Sequence, residues 1–415
     1  MVLVCANLQH KHHRTLTWTT MSHIIRVVVV DDSALMRRMI TTLIERDPAI
    51  RVVGVARDGR EAISVVEELR PDIITMDVRM PNMDGLATTE HLMAYNPTPI
   101  LVLTASLASH EVDITFKMLQ AGALEVIEKP NNTDPLALER AGLDLIRRIK
   151  TLAKVKVVTH LRGRRKLSEQ AVEANPLKQP LAPSSSNATK TNASIAFNGN
   201  RTQAPSDLAP QMPVIVIGAS TGGPRIVHQI LRDLPSNLPA AVIVVQHIAA
   251  GFSVGMAEWL SASSALPVTL AYEGQSIRAG EVLIAPDQRD LMITSNGSVH
   301  LNENPLLIQR PAIDVTMQAA AEVFGPRAIG VLLTGMGRDG AYGMLTIRRA
   351  GGYTIAQDEA SCAIFGMPRA AIQLGAANDV LAPAQIITRL TELVAEQLQT
   401  APVRAYNAIQ ANSKF

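Results

Sequence analysis

The reactive side chains of this chain stand where short apolar runs stop. Asp31 and Asp32 follow "RVVVV", Asp77 closes "DIITMD", Thr104 closes "ILVLT", and Lys129 follows "VIE". Carboxylates gathered at strand ends repel one another unless a cation neutralises them, and a hard oxygen site with few ligands suits Mg²⁺. A hydroxyl and an ammonium beside such a carboxylate suit the acceptance of a phosphoryl group. A second set lies further along the chain. Ser220 sits in "VIVIGASTGGP", His247 follows "AVIVVQ", and Asp339 follows "VLLTGMGR".

The stretch around Ser220 admits two readings. A dinucleotide site needs G-x-G-x-x-G after the strand and an acid near the end of the next strand. "GASTGGP" has other glycine spacing, and its next strand ends in Gln246 and His247. Gly218 to Gly222 instead reads G-x-S-x-G between a strand and a helix, a turn that lifts a serine above a sheet. A serine hydroxyl needs a base within reach, and the base needs a carboxylate to fix its tautomer. His247 and Asp339 are expected on the same rim, and the glycines of "TGMGRDG" let main-chain N–H groups approach an oxyanion. The order Ser, His, Asp departs from the Ser, Asp, His order of α/β-hydrolases.

These side chains need parallel sheets to hold them. From Ile24 to about Leu152, "IIRVVVV", "RVVGVA", "DIITMD", "PILVLTA" and "ALEVIE" alternate with helical stretches. Such βα alternation gives a parallel sheet covered on both faces. The first helix is expected to bury Leu35, Met36, Met39, Ile40, Leu43 and Ile44. From Pro213 to about Leu398 a second α/β pattern runs through "VIVIG", "AVIVVQ", "EVLIAP", "AIGVLLTG" and "YTIAQ". A hairpin, "LMITSNGSVHL", is expected to turn on Asn296–Gly297 in type I′ geometry. In open sheets of this kind, ligands gather at the carboxyl ends of strands.

Between the two patterns, residues 156–212 are rich in Ser, Asn, Pro and basic groups and read as a solvated linker. Residues 151–212 hold nine Lys or Arg against three acids. Residues 213–398 hold 11 Arg, no Lys and 15 acids, a net acidic balance that argues against a DNA-binding output domain. His10, His12 and His13 read as part of a solvated arm, and "RGRRK" as part of the linker. Only two cysteines are present, which points to a reducing compartment, and Cys362 reads as a small core residue. No run approaches the ~20 apolar residues of a membrane span, and the first residues lack the pattern of a secretory signal.

With "VVVDDS", "DIITMDVRMPNMDG", "LVLTAS" and "VIEKP", residues 24–145 resemble the receiver domain of two-component response regulators. The resemblance implies phosphorylation of Asp77 by a histidine kinase. It implies Mg²⁺ held by Asp32, Asp77 and the Arg79 carbonyl with Asp31 assisting, and Thr104 and Lys129 as switch residues. Val126 stands where many receivers carry a switching aromatic.

"IGASTGGP", "VVQHI", "LIAPD", "RPAIDV", "LLTGMGRDG" and "FGMPRAA" resemble the catalytic domain of the chemotaxis protein-glutamate methylesterases, the CheB family. That resemblance implies hydrolysis of glutamate methyl esters on methyl-accepting chemoreceptors, with methanol released and no cofactor for the ester step. Many members also deamidate receptor glutamines. It implies Ser220 as nucleophile, His247 as base, Asp339 as orienting acid, and Thr221 and Met336 around the oxyanion. The expected organisation is an arm (1–23), a (βα)5 receiver with a parallel sheet (24–145), a helix end and linker (146–212), and a tail (399–415). The catalytic domain (213–398) is expected to be α/β, Rossmann-like and doubly wound, with a β-hairpin. The setting expected is cytoplasmic, touching the membrane only through receptors.

Overall fold

The computed structural model describes residues 23–105, 109–130, 134–157, 212–303 and 310–412. The expected arm, the histidine cluster within it and "RGRRK" lie outside those residues.

The first unit follows the βα alternation. Its strands are β1 (Ile25–Val30), β2 (Ile50–Ala56), β3 (Ile73–Asp77), β4 (Ile100–Thr104) and β5 (Glu125–Glu128), in the order β2-β1-β3-β4-β5. Every pairing is parallel. The helices are α1 (Ala34–Ile44), α2 (Gly59–Leu69), α3 (Gly85–Tyr95), α4 (Ser109–Ala121) and α5 (Pro135–Leu152). β-Branched runs in the central strands are buried on both faces, as a sheet covered by helices on each side requires. Side chains of Ser33, Asp58, Asp84 and Asp134 cap the helices that follow them, accepting hydrogen bonds from their first-turn N–H groups.

One expectation is corrected. Ile40, Leu43 and Ile44 of α1 are buried, but Leu35 is 72 % exposed, because the first turn of α1 lies clear of the packed face. Helix α5 runs on to Leu152, through the stretch expected to hold a helix end, and buries Ile149 and Leu152 in the receiver core.

The second unit is built on seven strands: β6 (Val214–Ala219), β7 (Ala241–Gln246), β8 (Val268–Leu270), β9 (Val282–Ile284), β12 (Ala328–Leu332), β13 (Tyr353–Gln357) and β14 (Asp379–Leu381). Their order is β14-β13-β12-β6-β7-β9-β8, all parallel. The chain leaves β6 toward β7 on one side and returns to β12 on the other, so a switch point opens at β6. The flanking helices are α6 (Gly223–Asp233), α7 (Ser253–Ser261), α8 (Ile313–Phe324), α9 (Ala341–Arg349), α10 (Met367–Gln373) and α11 (Pro383–Asn412). Helix α11 continues beyond Leu398, where the domain was expected to end. The short strands β8 and β14 carry too few apolar residues to stand out in the sequence.

The hairpin forms from β10 (Asp290–Ile293) and β11 (Val299–Asn302). Its turn is not type I′, which needs positive φ at both central residues. Only Gly297 has it, at 78°, and the Gly297 N–H donates to the Thr294 carbonyl. That is the three-residue loop with a left-handed glycine. No helix among the described residues is long and apolar enough to cross a membrane.

The units are docked. Phe116 of α4 stacks on Trp259 of α7 at 5.0 Å and meets Phe252 edge-on at 6.4 Å. The side of the receiver formed by α4, β5 and α5 faces the rim above β6 and β7.

Candidate functional site

Parallel strands deliver Ser220, His247 and Asp339 to one rim. Ser220 follows β6, His247 follows its neighbour β7, and Asp339 lies in the loop after β12, on the other side of β6. The turn at Ser220 closes on itself, since the Gly223 N–H donates to the Ser220 carbonyl at 2.8 Å. Gly222 sits at φ 75° and starts α6. The Ser220 N–H reaches across to the Thr334 carbonyl at 3.0 Å. A Cβ on Gly335 would fall 2.6 Å from the Ser220 Cβ, so only glycine lets the β12 loop come this close.

The His247 Nε2 lies 2.8 Å from Asp339 Oδ2, which leaves Nδ1 as the ring nitrogen available to Ser220. No hydrogen bond joins the Ser220 hydroxyl to the imidazole among the described residues. Such contacts often tighten only once substrate is bound. Asp339 is anchored from below. Its Oδ2 accepts from Ile313 N–H at 2.8 Å, and its Oδ1 from Asp314 and Gly340 N–H groups, each at 2.9 Å. The carboxylate thus caps α8, a helix distant in sequence, rather than only starting its own. Burial works against its charge, but the His247 contact and these N–H groups outweigh it and hold the carboxyl below the usual range.

Neighbouring acids behave differently. Burial pushes Asp314 up to about 6, with the Asp339 charge adding to the rise and the Gly343 N–H opposing it. Burial also raises Asp290, which accepts from Ala312 N–H. Cys362 is pushed up to about 12 by burial and nearby acids, so its thiol stays protonated.

Ser220, Thr221, His247 and Met336 line one cavity of about 250 Å³, and receiver residues close its other wall. The Thr221 hydroxyl donates to Glu125 Oε2 of β5 at 2.9 Å. Glu125 is ion-paired with Arg148 of α5, which Asp144 holds at 2.6 Å. The Gly222 N–H donates to the Leu124 carbonyl at 3.1 Å. Thr151 of α5 donates to Met336 Sδ at 3.3 Å. The sequence reading missed Glu125, Arg148 and the side chain of Gln246. Only Gln246 left a signal, as a polar residue closing an otherwise apolar strand.

The carboxylates of the receiver also converge. Asp31, Asp32 and Asp77 can each bring one oxygen within 4.8 Å of the others. Lys129 Nζ lies 2.7 Å from Asp31 and 2.8 Å from Asp77. Three carboxylates against one ammonium, all with hard oxygen donors, fit a divalent cation such as Mg²⁺. Asp77 is raised by burial, with Lys129 pulling the other way and Asp31 adding to the rise. Burial alone would lower Lys129, but its two carboxylate partners hold it above its ordinary value. Thr104 is buried at the end of β4, and its carbonyl accepts from the Lys129 N–H at 2.8 Å. Arg79 follows β3 on the same rim.

Two family models match the chain: the response regulator receiver domain over residues 27–139, and CheB methylesterase over residues 215–390. The chain is 40 % identical over 375 residues to a protein-glutamate methylesterase/protein-glutamine glutaminase of Symbiobacterium thermophilum, covering 90 % of this chain and 98 % of the relative. It is 42 % identical over 370 residues to one of Anaeromyxobacter dehalogenans, covering 89 % and 97 %. Among solved structures, the CheB methylesterase catalytic domain of Thermotoga maritima matches at 40 % identity, covering 44 % of this chain and 98 % of that one, with a TM-score of 0.43.

Proposed function

Because the chain belongs to the CheB family of protein-glutamate methylesterases/protein-glutamine glutaminases, we propose that it hydrolyses glutamate methyl esters on chemoreceptors under phosphorylation control, and deamidates receptor glutamines at the same serine. The observation that carries this reading is the convergence of Ser220, His247 and Asp339 on one rim, with His247 and Asp339 at 2.8 Å.

Ser220 Oγ attacks the ester carbonyl carbon and its proton passes to His247. The carbonyl oxygen takes negative charge, met by main-chain N–H groups around Thr221 and Met336. The C–O bond to the methoxy group then breaks, and His247 returns the proton so that methanol leaves. Water, deprotonated by the same imidazole, attacks the acyl-serine and releases glutamate. With a glutamine side chain the leaving group is ammonia. Asp339 keeps the imidazole in one tautomer and steadies its charge. Cys362, held protonated, takes no part.

In the receiver, Asp77 accepts the phosphoryl group from a histidine kinase. Asp31, Asp32 and Asp77, with the Arg79 carbonyl, would hold Mg²⁺, which would supply positive charge beside the phosphoryl group. Thr104 and Lys129 would sense the product. Contacts from Leu124, Glu125 and Thr151 to the catalytic loops support a resting state in which the receiver obstructs the cavity. Phosphorylation would shift a two-state docking equilibrium. The working place is the cytoplasmic face of receptor membranes.

The test is methanol release from methylated receptor membranes by full-length protein treated with acetyl phosphate. Ser220→Ala should abolish release while the protein still unfolds cooperatively. A folded variant that keeps near-normal turnover would refute the assignment.

A further inference from the structure

Gln246 ends β7, opposite Ala219 in the β6 ladder, and is 2 % exposed. Beyond this pair the two strands run out into the loops that carry Ser220 and His247. The His247 N–H still donates to the Ala219 carbonyl at 2.9 Å. The next rung is made by a side chain. Gln246 Nε2 donates to the Ser220 carbonyl at 2.9 Å and to the His247 carbonyl at 2.8 Å. One amide therefore spends both its N–H groups on the main chains of the nucleophile and the base. A Cβ on Gly223 would stand 2.5 Å from Gln246 Oε1, so glycine at the start of α6 makes room for that amide.

Among the described residues the same amide leaves Oε1 buried with no partner. Turning it over would set that oxygen against two carbonyls, which fixes its orientation. An unpaired buried acceptor lowers stability. Gln357, the buried glutamine closing β13, shows the contrast. Its Oε1 accepts from Thr334 N–H at 2.8 Å and its Nε2 donates to Ser361 at 3.0 Å, so both ends are satisfied. Packing alone gives no reason to keep an amide at Gln246.

We propose that Gln246 is a positioning residue for acyl transfer. Its amide fixes the spacing of the Ser220 and His247 main chains, and through them the approach of Oγ to the imidazole. The inference rests on the reading of Ser220 as nucleophile and His247 as base. Displacing a reacting group by about 1 Å can cost roughly a hundredfold in rate.

The experiment uses the full chain treated with acetyl phosphate and has two readouts, methanol release from methylated receptors and the rate at which a fluorophosphonate labels Ser220. Gln246→Met keeps the volume and removes the donors and the orphan acceptor. Removing the orphan acceptor offsets the two lost hydrogen bonds, so its melting temperature should stay close to that of wild type. Its kcat and its labelling rate should both fall by roughly ten- to a hundredfold with KM unchanged. In Gln246→Glu, a protonated carboxyl can still donate once, whereas a carboxylate faces two carbonyl oxygens. Its rate relative to wild type should therefore fall as pH rises. A Gln246→Met rate within twofold of wild type, or a pH-independent ratio for Gln246→Glu, overturns the proposal. So does a failure of wild-type Ser220 to label. If wild type labels but releases no methanol, the substrate assignment fails, and the labelling series alone decides the role of Gln246.

Discussion

Replacing Glu125 by alanine should weaken the docking of the receiver without altering Ser220, His247 or Asp339. Glu125 meets the catalytic unit through the Thr221 hydroxyl at 2.9 Å and is held in place by Arg148. A hydrogen bond to a charged group contributes about 1.5–3 kcal/mol. Glu125 and Arg148 retain 18 % and 25 % side-chain exposure, so water screens the contact and the lower figure applies. About 1.5 kcal/mol corresponds to roughly a tenfold shift in the docked-to-open ratio. Arg148 keeps Asp144 as a partner, so no charge is stranded. The Leu124–Gly222 bond and the Phe116–Trp259 stack remain, so docking weakens rather than vanishes. Methanol release by unphosphorylated Glu125→Ala should rise about tenfold over unphosphorylated wild type, while the acetyl-phosphate-treated rates stay equal. Raising salt from about 0.1 to 1 M shortens the screening length from about 10 to 3 Å and should narrow the gap between the two resting rates. An unchanged resting rate, or an equal rise in both phosphorylation states, would refute the view that this contact restrains the site.

Asp77→Asn should lose acid-labile acyl-phosphate labelling and stimulation by acetyl phosphate, measured with radiolabelled phosphodonor; full labelling of that variant would move the acceptor elsewhere. Asp314 makes a stability prediction with a definite sign. Its folded value, about 6, lies above the ordinary carboxylate value of 3.8, so the folded state holds more protons between those pH values and this group's contribution falls as pH rises through that window. The shift corresponds to about 3 kcal/mol unscreened and roughly half that with solvent screening. Urea unfolding of Asp314→Asn should therefore give a stability that falls less, or rises more, than wild type from pH 4 to pH 6; parallel curves would show that Asp314 titrates normally.

The sequence by itself determined which side chains end strands. β-Branched runs alternating with amphipathic helices force parallel sheets, and a parallel sheet sends all its strand ends to one rim. That local logic reached Asp31, Asp32, Asp77, Ser220 and His247, because each adjoins the run that positions it. It failed where the deciding contact came from a distant part of the chain. Leu35 has the periodicity of a core residue, yet among the described residues no element covers the first turn of α1. Asn296–Gly297 suited a two-residue turn, but the strand register left a three-residue loop with one left-handed glycine. Asp339 was readable as an acid near a helix start, whereas its capping of α8 depends on the packing that brings Ile313 and Asp314 beneath it. Gln246 read only as the absence of a ribose-binding acid, since the targets of its amide exist once β6 and β7 are paired. Glu125 carried no signal at all. It lies 96 positions from Thr221, and their hydrogen bond forms only where two separately folded units meet. Backbone periodicity is set by near neighbours and is written along the chain, while the direction of a polar side chain is set by whatever long-range packing places against it.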